Sequence, residues 1–179
     1  MIKRILRNWY RYVLWTLLSA VFWAWIFTLL FSAPVKQKVV LYADLPYLDR
    51  NALSIELERD KPEGIRIVDT ATFDDKMFNQ IEVLDGDLYL IPDSEAEEYL
   101  ASFAPIDRAD FPDATFFESD GEAYGILVYD EATGLNVGGA YLFYKPQERC
   151  WLFFNKDSMH IGAHDDAAIM IARHFLNLQ

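Results

Sequence analysis

Only one cysteine, Cys150, occurs in the 179 residues. A single thiol closes no intramolecular disulfide, and no Cys-x-x-Cys pair is present for redox or zinc chemistry. Within ERCWLFFNK, Cys150 reads as a small buried strand residue rather than a reactive thiol. Histidine is equally scarce: His160, His164 and His174 are all there are. The phosphate-cradling patterns GxGxxG and GxxxxGK(S/T) are missing, and so is the GxSxG of a nucleophilic serine. These absences remove the usual carriers of nucleotide binding and serine hydrolysis. Acid is missing from residues 1–31, and base is short everywhere after them. Of 16 Lys and Arg, four (Lys3, Arg4, Arg7 and Arg11) precede residue 32, whereas all 28 Asp and Glu follow it. The later part therefore carries 12 basic and 28 acidic side chains, a formal net of −16. Such a surface repels a phosphate backbone, so nucleic acid is not expected as a partner.

What is present first is one long uncharged run, VLWTLLSAVFWAWIFTLLF, from Val13 to Phe31. Nineteen residues at about 1.5 Å each span roughly 28 Å, close to the thickness of a bilayer core. Trp9, Tyr10 and Tyr12 stand at one margin, where amphipathic rings suit the headgroup layer. The basic residues before the run place the N-terminus in the cytoplasm and the acidic bulk outside it. A cleaved signal peptide is the competing reading, but its apolar core is normally 7–15 residues, shorter than this one. The expected organisation is a basic cytoplasmic segment over 1–12, a transmembrane helix over 13–31, a linker over 32–37 and an extracytoplasmic α/β domain over 38–179.

The outer part alternates between two periodicities. KVVLYAD, IRIVDT and DLYLI read as buried strands. Asp49 is placed to cap a helix with Ala52, Leu53 and Leu57 inward. Asp74 or Asp75 is expected to cap a second helix carrying Met77, Ile81 and Leu84, ended by Gly86. Ser94 and Glu97 fit a capping box for a third helix over Glu95 to Phe103. Strand–helix alternation in short units argues for a parallel sheet. APIDRADFPDATFFESDGEA then reads as an irregular loop. YGILVYD, AYLFYKP and CWLFFNK follow as strands, and a helix from Asp166 to Leu178 closes the chain.

No catalytic or metal-ligating set is expected. His160 and His164 have i, i+4 spacing, but Gly162 intervenes and helix signals begin only at Asp165, so a shared ligand face is not implied. Asp165 and Asp166 read as acids at a helix start, bonding free N–H groups and opposing the dipole. His174 is expected at the surface near that helix's C-terminus. Glu95, Glu97 and Glu98 read as solvent-facing acids of a first turn rather than a catalytic pair, which needs one shielded member. No cofactor is expected.

Three runs carry a resemblance: GDLYLIPDSEAEEYL, DGEAYGILVYD and CWLFFNKDSMHIG. In this order, and followed by AHDDAAIMIARHFLNL, they resemble the extracellular solute-binding proteins of bacterial transporters, a two-lobed family selecting sugars, oligopeptides or anions. GDLYLIPDSEAEEYL is similar to that family's third strand and following helix. DGEAYGILVYD resembles its dGkxYGiPv strand, and CWLFFNKDSMHIG its lyYNKdlfxxaG strand and helix start. AHDDAAIMIARHFLNL is similar to the late helix that returns to the first lobe. Together the four runs cover 55 of the residues from 38 to 179. NKDSMHIG runs almost directly into the closing helix, where that family has its second lobe. The resemblance thus implies an α/β fold with a single periplasmic-binding-protein-like lobe, a mostly parallel sheet flanked by helices, behind one transmembrane helix.

Open α/β sheets bind ligands outside the carboxyl ends of their strands. The candidate ligand-binding surface is therefore the carboxyl-end rim: Asp44, Tyr47, Thr70, Thr72, Asp93, Ser94, Tyr129 and Asn155. The expected function is a membrane-anchored, extracytoplasmic, non-catalytic binding or sensing module for a small solute. The competing expectation is an interaction protein whose exposed lobe face binds a partner membrane protein.

Overall fold

The computed structural model describes residues 9–31, 34–74, 78, 86–162 and 165–178. Helix α1, Trp9–Phe31, is a single 23-residue helix. It includes Trp9 to Tyr12, ahead of the uncharged run. Its window Trp9–Thr28 is long and apolar enough to cross a membrane, with a mean hydropathy of 1.3 and no part of it buried within the chain. Two hydroxyls inside it are satisfied locally: Thr16 donates to the Tyr12 carbonyl and Thr28 to the Ala24 carbonyl, each at 2.9 Å. This back-bonding lets a hydroxyl sit in an apolar helix without an unmet donor. Lys3, Arg4 and Arg7 lie outside the described residues.

The chain divides between Pro34 and Val35 into two compact units. The second opens with a 3₁₀ turn, Val35–Gln37. Its elements are β1 (Lys38–Ala43), β2 (Tyr47–Leu48), α2 (Arg50–Leu57), β3 (Ile67–Thr72), β4 (Leu88–Pro92), α3 (Asp93–Tyr99), β5 (Phe116–Ser119), β6 (Glu122–Asp130), β7 (Leu135–Asn136), β8 (Leu142–Phe143), β9 (Cys150–Phe154) and α4 (Ala167–Leu176). The main sheet runs β3-β1-β4-β9-β6-β5, with β7 also on β6. β1 is parallel to β3 and β4. From β4 onward every pairing is antiparallel: β4–β9, β9–β6, β6–β5 and β6–β7. The unit is thus mixed α/β, parallel in one half and antiparallel in the other.

Connection length accounts for the change. β1 reaches β3 through α2, a crossover long enough for a parallel neighbour. β5 and β6 are joined only by Asp120 and Gly121, with φ of 50° and 84° and Ser119 opposite Glu122. Two residues at positive φ make the tight hairpin turn, which permits only antiparallel pairing. The loop expected over this stretch therefore contains a strand, Phe116–Ser119. AYLFYKP contributes less than expected: only Leu142–Phe143 is extended, pairing with β2 in a separate two-stranded sheet.

Side-chain alternation gives the sheet two buried faces. In β4, Leu88 and Leu90 face one core while Tyr89 and Ile91 face the other. In β9, Cys150, Leu152 and Phe154 separate from Trp151 and Phe153 in the same way. The first face is closed by Leu53 and Leu57 of α2 and by Ala168, Ile171, Ala172 and Phe175 of α4. The second is covered by α3 and is largely aromatic. Phe78 lies within 5.4 Å, centroid to centroid, of Phe73, Tyr89 and Tyr99, and Phe103 stacks on Phe153 at 4.4 Å. Gly125, opposite Phe153, leaves room for that ring: a Cβ there would come within 2.7 Å of it.

The helix ends follow local chemistry. Asp49 Oδ1 accepts from the Ala52 N–H at 3.1 Å, capping α2 as expected. The capping box of α3 does not form. The helix starts at Asp93, so Ser94 is already in the first turn, and its hydroxyl donates to Glu148 instead. After Tyr99 the chain tightens into a 3₁₀ turn, Leu100–Ser102. α4 is shorter than expected at both ends, and Asp165 rather than Asp166 bonds its start, accepting from the Ala167 N–H at 3.1 Å. Asp75, Met77, Ile81, Leu84 and His164 lie outside the described residues.

The outer edge of β3 is covered by side chains. Arg50 Nε donates to the Thr70 carbonyl at 2.8 Å, Lys61 Nζ to the Arg66 carbonyl at 2.5 Å, and the Val68 N–H donates to Glu58 at 3.2 Å.

Candidate functional site

β1, β3, β4 and β6 point the same way and β9 points against them. Their carboxyl ends share one rim with the amino end of β9, where Pro92 and Tyr129 each stand opposite Cys150. Of the eight residues expected there, Asp44, Thr72, Asp93, Ser94 and Tyr129 meet at this rim, and Tyr47 lies just beyond it in β2. The turn Lys145 to Arg149, with Gln147 at a φ of 64°, reaches the same residues. Lys145 Nζ lies 3.9 Å from both Asp44 and Glu148. The Asp93 N–H donates to the Arg149 carbonyl at 2.9 Å, and Trp151 Nε1 donates to Asp93 Oδ1 at 2.6 Å. Tyr129 stacks on Tyr144 at 4.6 Å with only 6° between the rings. Burial holds the Tyr144 hydroxyl well above its ordinary pKa, so it stays protonated, and it donates to the Val137 carbonyl at 2.6 Å. The rim is thus a belt of mutual polar contacts.

Two of the eight are placed elsewhere. Thr70 is 0% exposed, and its hydroxyl donates to the Arg50 carbonyl at 2.9 Å and lies 3.1 Å from Ser54. It fastens α2 to β3 from inside, two residues short of the rim. Asn155 is 2% exposed and sits at the opposite end of the sheet, because β9 runs against its neighbours and its carboxyl end meets their amino ends. There Asn155 Nδ2 donates to the Gly86 carbonyl at 2.6 Å, and its Oδ1 accepts from the Asp157 N–H at 3.0 Å.

A buried polar cluster continues from Asn155. Asp87, 5% exposed, accepts from the Val40 N–H at 2.9 Å and from the Ser158 hydroxyl at 2.6 Å. Burial raises its carboxyl pKa, while the bonds from Ser158 and Val40 pull it partly back. Ser158 Oγ also accepts from the His160 N–H at 3.0 Å. His160 Nδ1 lies 3.1 and 3.2 Å from the two oxygens of Asp165. His174 is half-buried rather than at the surface, its ring between Asp60 at 3.3 Å and the Glu56 carbonyl at 3.1 Å. It ties α4 to the end of α2.

An open cavity of about 740 Å³ lies on the antiparallel side, between the segment Asp110 to Thr115, β6, the hairpin around Leu135 and the end of α4. Its floor is apolar: Phe111, Ile126, Leu127, Leu135, Val137 and Leu176. Asp110, Asp113, Thr115, Thr133, Arg173 and Asn177 supply the polar margin. Arg173 is fixed there, donating to the Asp110 carbonyl at 3.0 Å and carboxylate at 2.8 Å, with its guanidinium 5.6 Å from the Phe111 ring centre. A volume of this size is within the range of small-molecule pockets, and its apolar floor with a few polar groups is their usual composition. None of the eight expected residues lines it.

The thiol at the rim is buried beneath it. Cys150 is 2% exposed, and burial pushes its thiol well above its ordinary pKa, which removes the thiolate a nucleophile needs. Among the described residues, no three His, Cys, Asp or Glu side chains are grouped to hold a metal ion. No protein-family model matches the sequence, and no curated protein matches it.

Proposed function

We propose that the chain is a membrane-anchored binding module, with its acidic α/β domain held outside the cytoplasm by α1, and that it binds rather than catalyses. The observation that carries this is the open cleft beside β6, which combines ligand-pocket volume with an apolar floor and a fixed guanidinium. The apolar α1 and the bases before it support the anchoring, by the positive-inside rule. The likeness of three runs to solute-binding proteins supports a small solute as the occupant. The test is a thermal-shift screen of the detergent-solubilised full chain against sugars, oligopeptides and anions at millimolar concentration. A ligand should raise the midpoint of wild type and do so much less for Leu135→Trp, a partly buried position on the cleft wall. If no ligand shifts the wild type, small-solute binding is removed as the role.

A second reading, an interaction protein of a membrane complex, is favoured by a different observation. Tyr47 and Phe143 face each other across the β2–β8 pair and are 60% and 58% exposed. Exposed paired aromatics are the kind of anchor that protein interfaces use. Crosslinking in native membranes should then trap a partner with wild type and lose it with Tyr47→Ser/Phe143→Ser. Recovery of the uncrosslinked chain alone would sink this reading.

A further inference from the structure

We propose that His160 is a proton-operated latch on the residues that lead from α1 into the outer domain. This inference is independent of the cleft and of what it binds. His160 is 1% exposed, so its ring can use only what the protein provides. Nδ1 faces the Asp165 carboxylate at 3.1 and 3.2 Å, and Nε2 faces the Val35 carbonyl at 3.4 Å. A carboxylate and a carbonyl are both acceptors without a proton to give. A neutral imidazole owns one N–H, so it can satisfy one of them and must turn a lone pair toward the other. An imidazolium donates to both.

Charged groups approach from two sides. Asp165 comes from the lead into α4 and Asp87 from the head of β4 through Ser158. Asp166 and Glu63 line the small crevice, about 280 Å³, that Asp165 and Lys36 also border. The nearest charge is negative, with the Asp165 carboxylate in direct contact with the ring.

Loss of the proton leaves the shorter bond to Asp165 and gives up the longer one to Val35. The turn Val35–Gln37 has no buried residue of its own to hold it. Gln37 is still fixed, because its carbonyl accepts from the Arg66 N–H at 2.7 Å. The freedom gained is therefore confined to Val35 and Lys36, just past the end of α1 in the sequence. Acid closes the latch and base opens it.

The test uses the full chain in nanodiscs between pH 5 and 8.5. Nitrogen NMR of the imidazoles, assigned by loss of signal in His160→Gln, reports the proton on each ring nitrogen. Hydrogen exchange at the amides of residues 35–37, corrected for intrinsic pH dependence, reports the turn. Both His160 nitrogens should carry protons at the acid end. Protection at 35 and 36 should fall about five- to tenfold as Nε2 loses its proton, the size of one net hydrogen bond, while that at 37 stays level. His160→Gln should remove the pH dependence. If that variant fails to fold, the wild-type comparison still decides: protection at 35 and 36 that stays level while the ring deprotonates, or a ring that is neutral throughout, overturns the proposal.

Discussion

Asp87 shows how one buried side chain can set a pH dependence. Its carboxyl is raised above the ordinary 3.8, with burial as the largest cause. The folded chain therefore holds this proton more firmly than the unfolded chain does. Its contribution to stability is complete below pH 3.8 and is lost as pH rises through the higher folded value. Asp87→Asn has no such titration. The stability of wild type minus that of Asp87→Asn should decline as pH goes from about 3.5 to 7, as read from urea midpoints of both chains across that range. A level difference would mean that Asp87 does not titrate above its unfolded value. Cys150 gives a second expectation at this scale. Its thiol should react with a disulfide reagent only through opening of the fold, so urea that populates the unfolded chain should raise the rate by orders of magnitude. Fast labelling of the native chain would contradict its burial. The place of Cys150 was legible in ERCWLFFNK because a small apolar residue in such a run has few other uses. That of Asn155 was not, since nothing near it states which way its strand runs.

At the scale of elements, local rules worked where the partner is near in sequence. Asp49 caps α2 through a residue three positions on. Asp49→Ala should cost about 1 kcal/mol in chemical denaturation; an unchanged midpoint would show that the cap bond carries nothing. Ser94 obeys the same composition rule and breaks it in the structure, because Glu148, 54 residues away, offers its hydroxyl a stronger partner. Asp120-Gly121 between two apolar runs is a hairpin signal that would have revealed β5 within the expected loop. The insertion of β9 between β4 and β6 leaves no such trace: all five of its residues are buried, so no alternation marks its faces. Gly125 belongs to this scale too. Gly125→Ala would push a methyl into the Phe153 ring and should destabilise by about 1–3 kcal/mol, with Phe153→Leu in the same chain recovering part of the loss.

For the whole molecule, composition announced the division that the structure makes between Pro34 and Val35. An acid-free apolar stretch and a strongly acidic remainder are different solvents' proteins, and the contrast can be counted. The cleft was beyond such counting, because its walls come from residues near 111, 127, 135 and 173 and exist only once β6 and α4 are in place. The covered edge of β3 has a consequence at this scale as well. An open edge strand is a template on which other chains can grow sheet. With Arg50, Glu58 and Lys61 occupying three backbone groups along β3 and its lead-in, that growth is impeded on the parallel side. Concentrated protein should therefore stay free of fibrils that bind thioflavin, whereas Arg50→Ala/Glu58→Ala should form them sooner. Solubility here then rests on a few well-aimed side chains as well as on net charge.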